Sequence, residues 1–163
     1  MHSEKISVSN LMNTKVQTDF EDQNIMSACN IMYANNIGSV IIVTYDTNHG
    51  PLGIITERDV VRILGKLDPN LLQTPLRSLM SKPLITIEQS GSINDATKIM
   101  NNKKIRRLVV IDKNNKMIGI LTQRDIFKAI DKDPDLFSEF YGNAFSSKFK
   151  EIYERYNKYS LED

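Results

Sequence analysis

The sequence predicts a mixed α/β (α+β) fold, with two successive β-α-β-β-α units packed as a pseudo-symmetric pair and a helical extension at the C-terminal end. Three observations predict it. The phrase Gly-Ile-x-Thr-x-Arg-Asp occurs twice, as GIITERD from Gly53 and GILTQRD from Gly119. Around it, Leu11, Met12, Thr18, Ile25, Ala28, Met32 and Ile37 return at one constant offset as Leu79, Met80, Thr86, Ile93, Ala96, Met100 and Ile105. In each copy, apolar residues at helical spacing give way to the continuous apolar runs of buried strands. The duplication covers roughly residues 8 to 65 and 76 to 131, which divides the chain into 1–68, 69–131 and 132–163.

Each copy opens on a short extended piece containing a threonine, VQTDF or LITIE. A helix follows, with Ile25, Cys29 and Met32 in the first copy and Ile93, Ala96, Ile99 and Met100 in the second; Asn24 and Ser92 stand where an N-cap belongs. Two strands come next, SVIIVT with LGIIT and then RLVVID with MIGILT, each pair joined by a polar turn. The turn is longer in the first copy, and this shortens the offset beyond it. ERDVVRILG and QRDIFKAI read as the closing helices, covering at least one face of each sheet. A unit this small buries little core alone, so sheet-to-sheet packing of the copies is expected. KLDPNLLQTPLR reads as the connector between them. In the extension, Phe145, Phe149, Ile152, Tyr153 and Tyr156 form a stripe at helical spacing, suited to docking on the module or on a second subunit.

Composition narrows the function classes. Twenty-one basic against twenty acidic residues give a formal charge of +1, which argues against a uniform field for nucleic acid or membrane. One cysteine, Cys29, excludes an internal disulfide, and two histidines with one thiol offer no metal-ligand spacing. The opening MHSEKISVSN lacks the apolar core of a signal peptide, and no stretch approaches the roughly 20 apolar residues that span a bilayer, so a soluble cytoplasmic protein is expected. There is no phosphate-binding glycine loop, no Cys-x-x-Cys and no recognisable nucleophile set, so catalysis is not expected.

The Thr-x-x-Asp element at each strand-to-helix junction has two compatible readings. As structure it is a capping box, with Thr56 or Thr122 at the N-cap and Asp59 or Asp125 near the positive helix end. Caps are far commoner than ligand sites, and a copied cap is still a cap. As a site, the hydroxyl and the helix amides suit a phosphate, while the carboxylate has two acceptor oxygens for a ribose diol. Gly53 and Gly119, in the strands leading in, permit close approach by a helix, a backbone or a ligand.

The tandem order of LM, extended segment, helix, IGSVIIV or IRRLVVI, then GIITERD or GILTQRD resembles a pair of cystathionine-β-synthase-type (CBS) domains, the Bateman module. The resemblance spans residues 8 to 131. It implies adenosine-nucleotide binding in the cleft between the copies, with Thr56 and Asp59 in one site and Thr122 and Asp125 in the other. It further implies adenine contacts from Thr18 and Asp19 and from Thr86 and Ile87. At the start of the middle strand it points to Gly38 and Ser39 in the first copy and to Arg106 and Arg107 in the second. Arginine's planar fork suits phosphate there; without the resemblance, KKIRR reads as a solvated, charged helix end. Arg124 is counted with the second site, while Arg58 and Arg124 are also candidates for exposure or acidic pairing. The site around Asp125 is expected to be the better one, because Asp19 and Phe20 depart from the family pattern.

The resemblance points to a regulatory sensor of AMP, with ADP or ATP as alternatives, that requires no cofactor, forms a homodimer and signals to a partner protein. S-adenosylmethionine presents the same adenosine head but gives the arginines less to do. Two rivals stand beside it. One is an RNA-binding protein using the same pocket with Lys103, Lys104 and the arginines, recognisable by strong salt dependence. The other is a ligand-free dimerisation scaffold.

Overall fold

A computed structural model describes residues 6–46, 50–133 and 136 of the chain. The elements run α1 (Val8–Leu11), β1 (Thr18–Phe20), α2 (Ile25–Asn35), β2 (Ser39–Val43), β3 (Pro51–Thr56), α3 (Glu57–Leu64), a 3-10 turn (Pro69–Leu72), α4 (Leu76–Leu79), β4 (Thr86–Glu88), α5 (Ile93–Lys103), β5 (Arg107–Ile111), β6 (Met117–Thr122) and α6 (Gln123–Lys132). The described residues form two compact units: those within 15–85, and 6–14 together with those from 86 to 136. The aromatic stripe expected at 145–156 lies outside the described residues.

In the unit of residues 15–85 the strand order is β1-β2-β3. Thr18 lies opposite Ile41 in the parallel pair, and Ser39 lies opposite Thr56 in the antiparallel pair. One face of this sheet buries Val40, Ile42 and Ile55 against Ile25, Ala28 and Met32 of α2, Ile63 of α3 and Leu76 of α4. Asn24 caps α2 by accepting from the amides of Met26 and Ser27, as its position in the sequence predicts. The helix ends on Asn36 at φ 50°, a left-handed conformation that asparagine tolerates better than most residues. The segment read as a connector does more than connect. Leu76 is fully buried and Leu71 and Leu72 pack on the same core, as do Leu79 and Met80 just beyond the segment.

The other unit repeats the plan as β4-β5-β6, with Thr86 opposite Val109 and Arg107 opposite Thr122. Ser92 caps α5, accepting from the Asp95 amide at 3.0 Å. The β5–β6 turn is built on Asp112, whose Oδ1 accepts from the amides of Asn114 at 2.8 Å and Lys116 at 2.9 Å. Asn115 supplies the positive φ of 59° that closes this turn. These amide donors, Lys116 first, hold the Asp112 carboxyl below its ordinary range.

The repeats and the compact units partition the chain differently. Asn13 pairs with Ile120, bonding in both directions at 2.8 and 2.9 Å, so the LM segment of the first repeat lies on the glycine-bearing strand of the second. Ser81 pairs in the same way with Ile54, laying the LM segment of the second repeat on the strand of the first. The two glycines are explained by this exchange. A Cβ on Gly53 would stand 2.5 Å from Met80 Sδ and 2.9 Å from the Ser81 carbonyl oxygen; one on Gly119 would stand 2.8 Å from Met12 Sδ and 3.0 Å from the Asn13 oxygen. Of the approaches the sequence leaves open, a close backbone is found at both glycines, with a methionine side chain beside it. Among the described residues, no helix is long and apolar enough to cross a membrane.

Candidate functional site

Most of the candidate residues of each unit lie toward the end of the sheet where the last strand becomes a helix. Because side chains alternate along a strand, Thr18, Ser39 and Thr56 share one face of the first sheet, and Thr86, Arg107 and Thr122 share one face of the second. Asp19 falls on the opposite face, in the row of Ile42 and Gly53, and Ile87 falls in the row of Val110 and Gly119. Gly38 and Arg106 contribute through their carbonyls, which accept from the first helical amides of Glu57 at 3.2 Å and Gln123 at 3.0 Å. Arg106 and Arg124 are exposed and Arg107 is half-buried.

Both junctions are complete capping boxes. Thr56 Oγ1 accepts from the Asp59 amide at 3.3 Å, and Asp59 Oδ2 accepts from the Thr56 amide at 2.9 Å and its hydroxyl at 2.7 Å. Thr122 and Asp125 repeat this, with the Thr122 amide donating to Asp125 Oδ2 at 2.8 Å and the Asp125 amide donating to the Thr122 hydroxyl at 3.2 Å. One carboxylate oxygen at each junction is thereby committed to the backbone turn.

The remaining oxygen distinguishes them. Asp59 is only 5% exposed, and its Oδ1 accepts from Ser81 Oγ at 3.4 Å and faces Arg62 Nη1 at 3.5 Å. Asp125 is half-buried, and its Oδ1 has no hydrogen-bond or ion-pair partner among the described residues. Sequence reading did not single out Arg62 or Ser81. Arg62 stands three residues beyond Asp59 on one helix, a spacing that announces a side-chain pair. Ser81 is distant in sequence, and only its place after the repeated LM hints at a role.

Asp19 is a second point of divergence. It is 7% exposed; its Oδ1 accepts from the Phe20 amide at 2.9 Å and its Oδ2 has no hydrogen-bond partner among the described residues. The matching residue of the other repeat is Ile87, buried and apolar. Elsewhere, burial pushes the Cys29 thiol above its ordinary range, which keeps it protonated at neutral pH. No group of three or more His, Cys, Asp or Glu side chains is placed to hold a metal ion among the described residues.

Comparison with known proteins agrees with this duplicated plan. The family model for the CBS domain matches twice, over residues 8–66 and 76–132. The uncharacterized protein MK0525 of Methanopyrus kandleri is 37% identical over 76% of this chain, which covers 62% of that relative's length. Among solved structures, the CBS domain protein PAE2072 from Pyrobaculum aerophilum, complexed with AMP, superposes with a TM-score of 0.72 at 23% identity, over 83% of this chain and 98% of its own. The CBS domain pair of MJ0100, complexed with 5'-methylthioadenosine and S-adenosyl-L-methionine, gives 0.69 at 23% identity, over 78% and 98%.

Proposed function

The chain belongs to the CBS-domain family, and from that premise we propose that it is a regulatory module that binds an adenosine nucleotide and reports its presence to a partner protein. AMP is the first choice of ligand, with ADP and ATP after it. The observation that carries this reading is the open Oδ1 of Asp125, presented beside an N-cap threonine at the start of a helix. A carboxylate with one oxygen fixed by its own cap and the other unpartnered is preorganised to accept from a ribose hydroxyl. The helix end and the neighbouring Arg106 and Arg107 give a phosphate the opposite charge it needs. Thr86 and Ile87, on the adjoining strand, are assigned to the base. The first repeat offers Thr18, Asp19, Gly38, Ser39, Thr56 and Asp59 at the matching positions, without the arginine pair and with Asp59 Oδ1 already engaged, as the weaker site.

The adenosine ligands of the two solved relatives support the ligand class. S-adenosylmethionine ranks lower here because a cationic sulfonium gains nothing from Arg106 and Arg107. Pairing with a second copy is part of the same reading. It is supported by Met26, Tyr33, Val61 and Leu64, which stand 55%, 89%, 70% and 52% exposed on α2 and α3.

The test is a calorimetric and thermal-shift panel with AMP, ADP, ATP, S-adenosylmethionine and a short adenine-ended RNA, on the native protein, Asp59→Ala and Asp125→Ala. A nucleotide at about 1,000 times its Kd adds roughly 4 kcal/mol of stability. Asp125→Ala is expected to weaken AMP binding at least about tenfold, and Asp59→Ala to weaken it less. Binding indifferent to Asp125, or RNA bound in preference to every mononucleotide, overturns the reading.

A further inference from the structure

The two Thr-x-x-Asp junctions carry the same carboxylate in different states of engagement. At Asp59 every lone-pair direction that matters is taken: Oδ2 by the amide and hydroxyl of Thr56, Oδ1 by Ser81 Oγ and the Arg62 guanidinium. The residue in the place of Arg62 on α6 is Lys128, which is exposed and forms no ion pair with Asp125. Any diol that uses Asp59 must therefore first displace a cation.

We infer that Arg62 is a specificity-determining residue that makes the first-repeat junction select phosphorylated ribonucleosides over neutral ones. The inference rests on the adenosine reading of these junctions. A neutral nucleoside offers two hydroxyls to Asp59 and nothing to the guanidinium it evicts. A nucleotide carrying a phosphate supplies both halves of the exchange, since the diol replaces the guanidinium on the carboxylate while the phosphate becomes the guanidinium's new anion. Arg62 is 63% exposed in its side chain, so its hold on Asp59 is screened by solvent. A pair of that kind alters affinity by about threefold to fivefold. Asp125, with its second oxygen open, imposes no such condition.

Each junction is isolated by converting the other aspartate to asparagine. Kd values for adenosine and for AMP are then measured by calorimetry on the full chain for Asp125→Asn, for Asp125→Asn with Arg62→Gln, and for Asp59→Asn with and without Arg62→Gln. Arg62→Gln is expected to tighten adenosine binding in the Asp125→Asn protein and to lower the adenosine-to-AMP Kd ratio by about threefold to fivefold. It leaves the ratio unchanged in the Asp59→Asn protein. An unchanged ratio in the Asp125→Asn protein overturns the inference while leaving the adenosine reading intact. So does a loss of AMP affinity with adenosine unaffected, which would make Arg62 a phosphate contact and nothing more. Silence toward both ligands in every protein, the native chain included, overturns the adenosine reading and this inference with it.

Discussion

The two repeats share strand register, capping boxes and exchanged LM segments, yet they treat their polar groups in opposite ways. The first buries an acid in its sheet at Asp19 and closes Asp59 with Arg62 and Ser81. The second puts Ile87 at the buried position and leaves Asp125 half open. Duplication thus preserved what builds the fold, namely caps, glycines and apolar rows, while the polar groups around the caps diverged. A shared motif states the scaffold, and its neighbours decide the chemistry.

The sharpest way to break the comparison is to exchange the buried pair. Ile87→Asp places an uncompensated carboxylate in a packed row and is expected to cost about 3 kcal/mol or more. Asp19→Ile removes an orphaned oxygen and is expected to stabilise by about 1 to 2 kcal/mol. Urea unfolding of both variants checks this, and a destabilised Asp19→Ile would mean that the acid has a partner in solution.

A smaller effect is expected at the glycines. Gly53→Ala drives a methyl into Met80 and the Ser81 backbone and should cost about 2 kcal/mol. Gly119→Ala, with slightly wider clearances, should cost somewhat less. Thermal melts of the two variants measure the order, and equal insensitivity would refute the close packing of the LM segments.

The smallest effect concerns the hairpins. In the second repeat Asp112 organises the turn, whereas in the first Thr44 Oγ1 accepts from the Gly50 amide at 2.9 Å and donates to Asp46 at 2.8 Å. Because the carboxyl of Asp112 titrates lower in the folded turn than in the unfolded chain, its contribution is fully present above the ordinary carboxylate pKa, about 3.9. It is lost as pH falls through the depressed value. The protection of the Asn114 and Lys116 amides, their exchange rates taken relative to the intrinsic rate at each pH, should therefore fall on acidification, and in Asp112→Ala it should be low at every pH.

Much of this architecture was legible in the sequence, because it rests on local signals. Asn24 and Ser92 announce their helices, and the continuous runs at Ser39–Val43 and Arg107–Ile111 announce buried strands. The Thr-x-x-Asp caps were legible too. The four-residue helices α1 and α4 were not, since a single turn carries no periodicity. Nor was the exchange of LM segments, which joins Asn13 to Ile120 across most of the chain. Ser81 closes on Asp59 through that same exchange, so the occupied state of one carboxylate was hidden while its mere presence was plain.

The exchange also orders the protein's biosynthesis. Residues 15–85 form a continuous stretch and can condense as soon as they leave the ribosome, because local contacts form before distant ones. Val8 and Asn13 emerge earlier than any of these, yet their partners at Gly91 and Ile120 are translated much later. Val8 to Asn13 are thus made before residues 15–85 yet seated after them, once the strand carrying Ile120 has been translated.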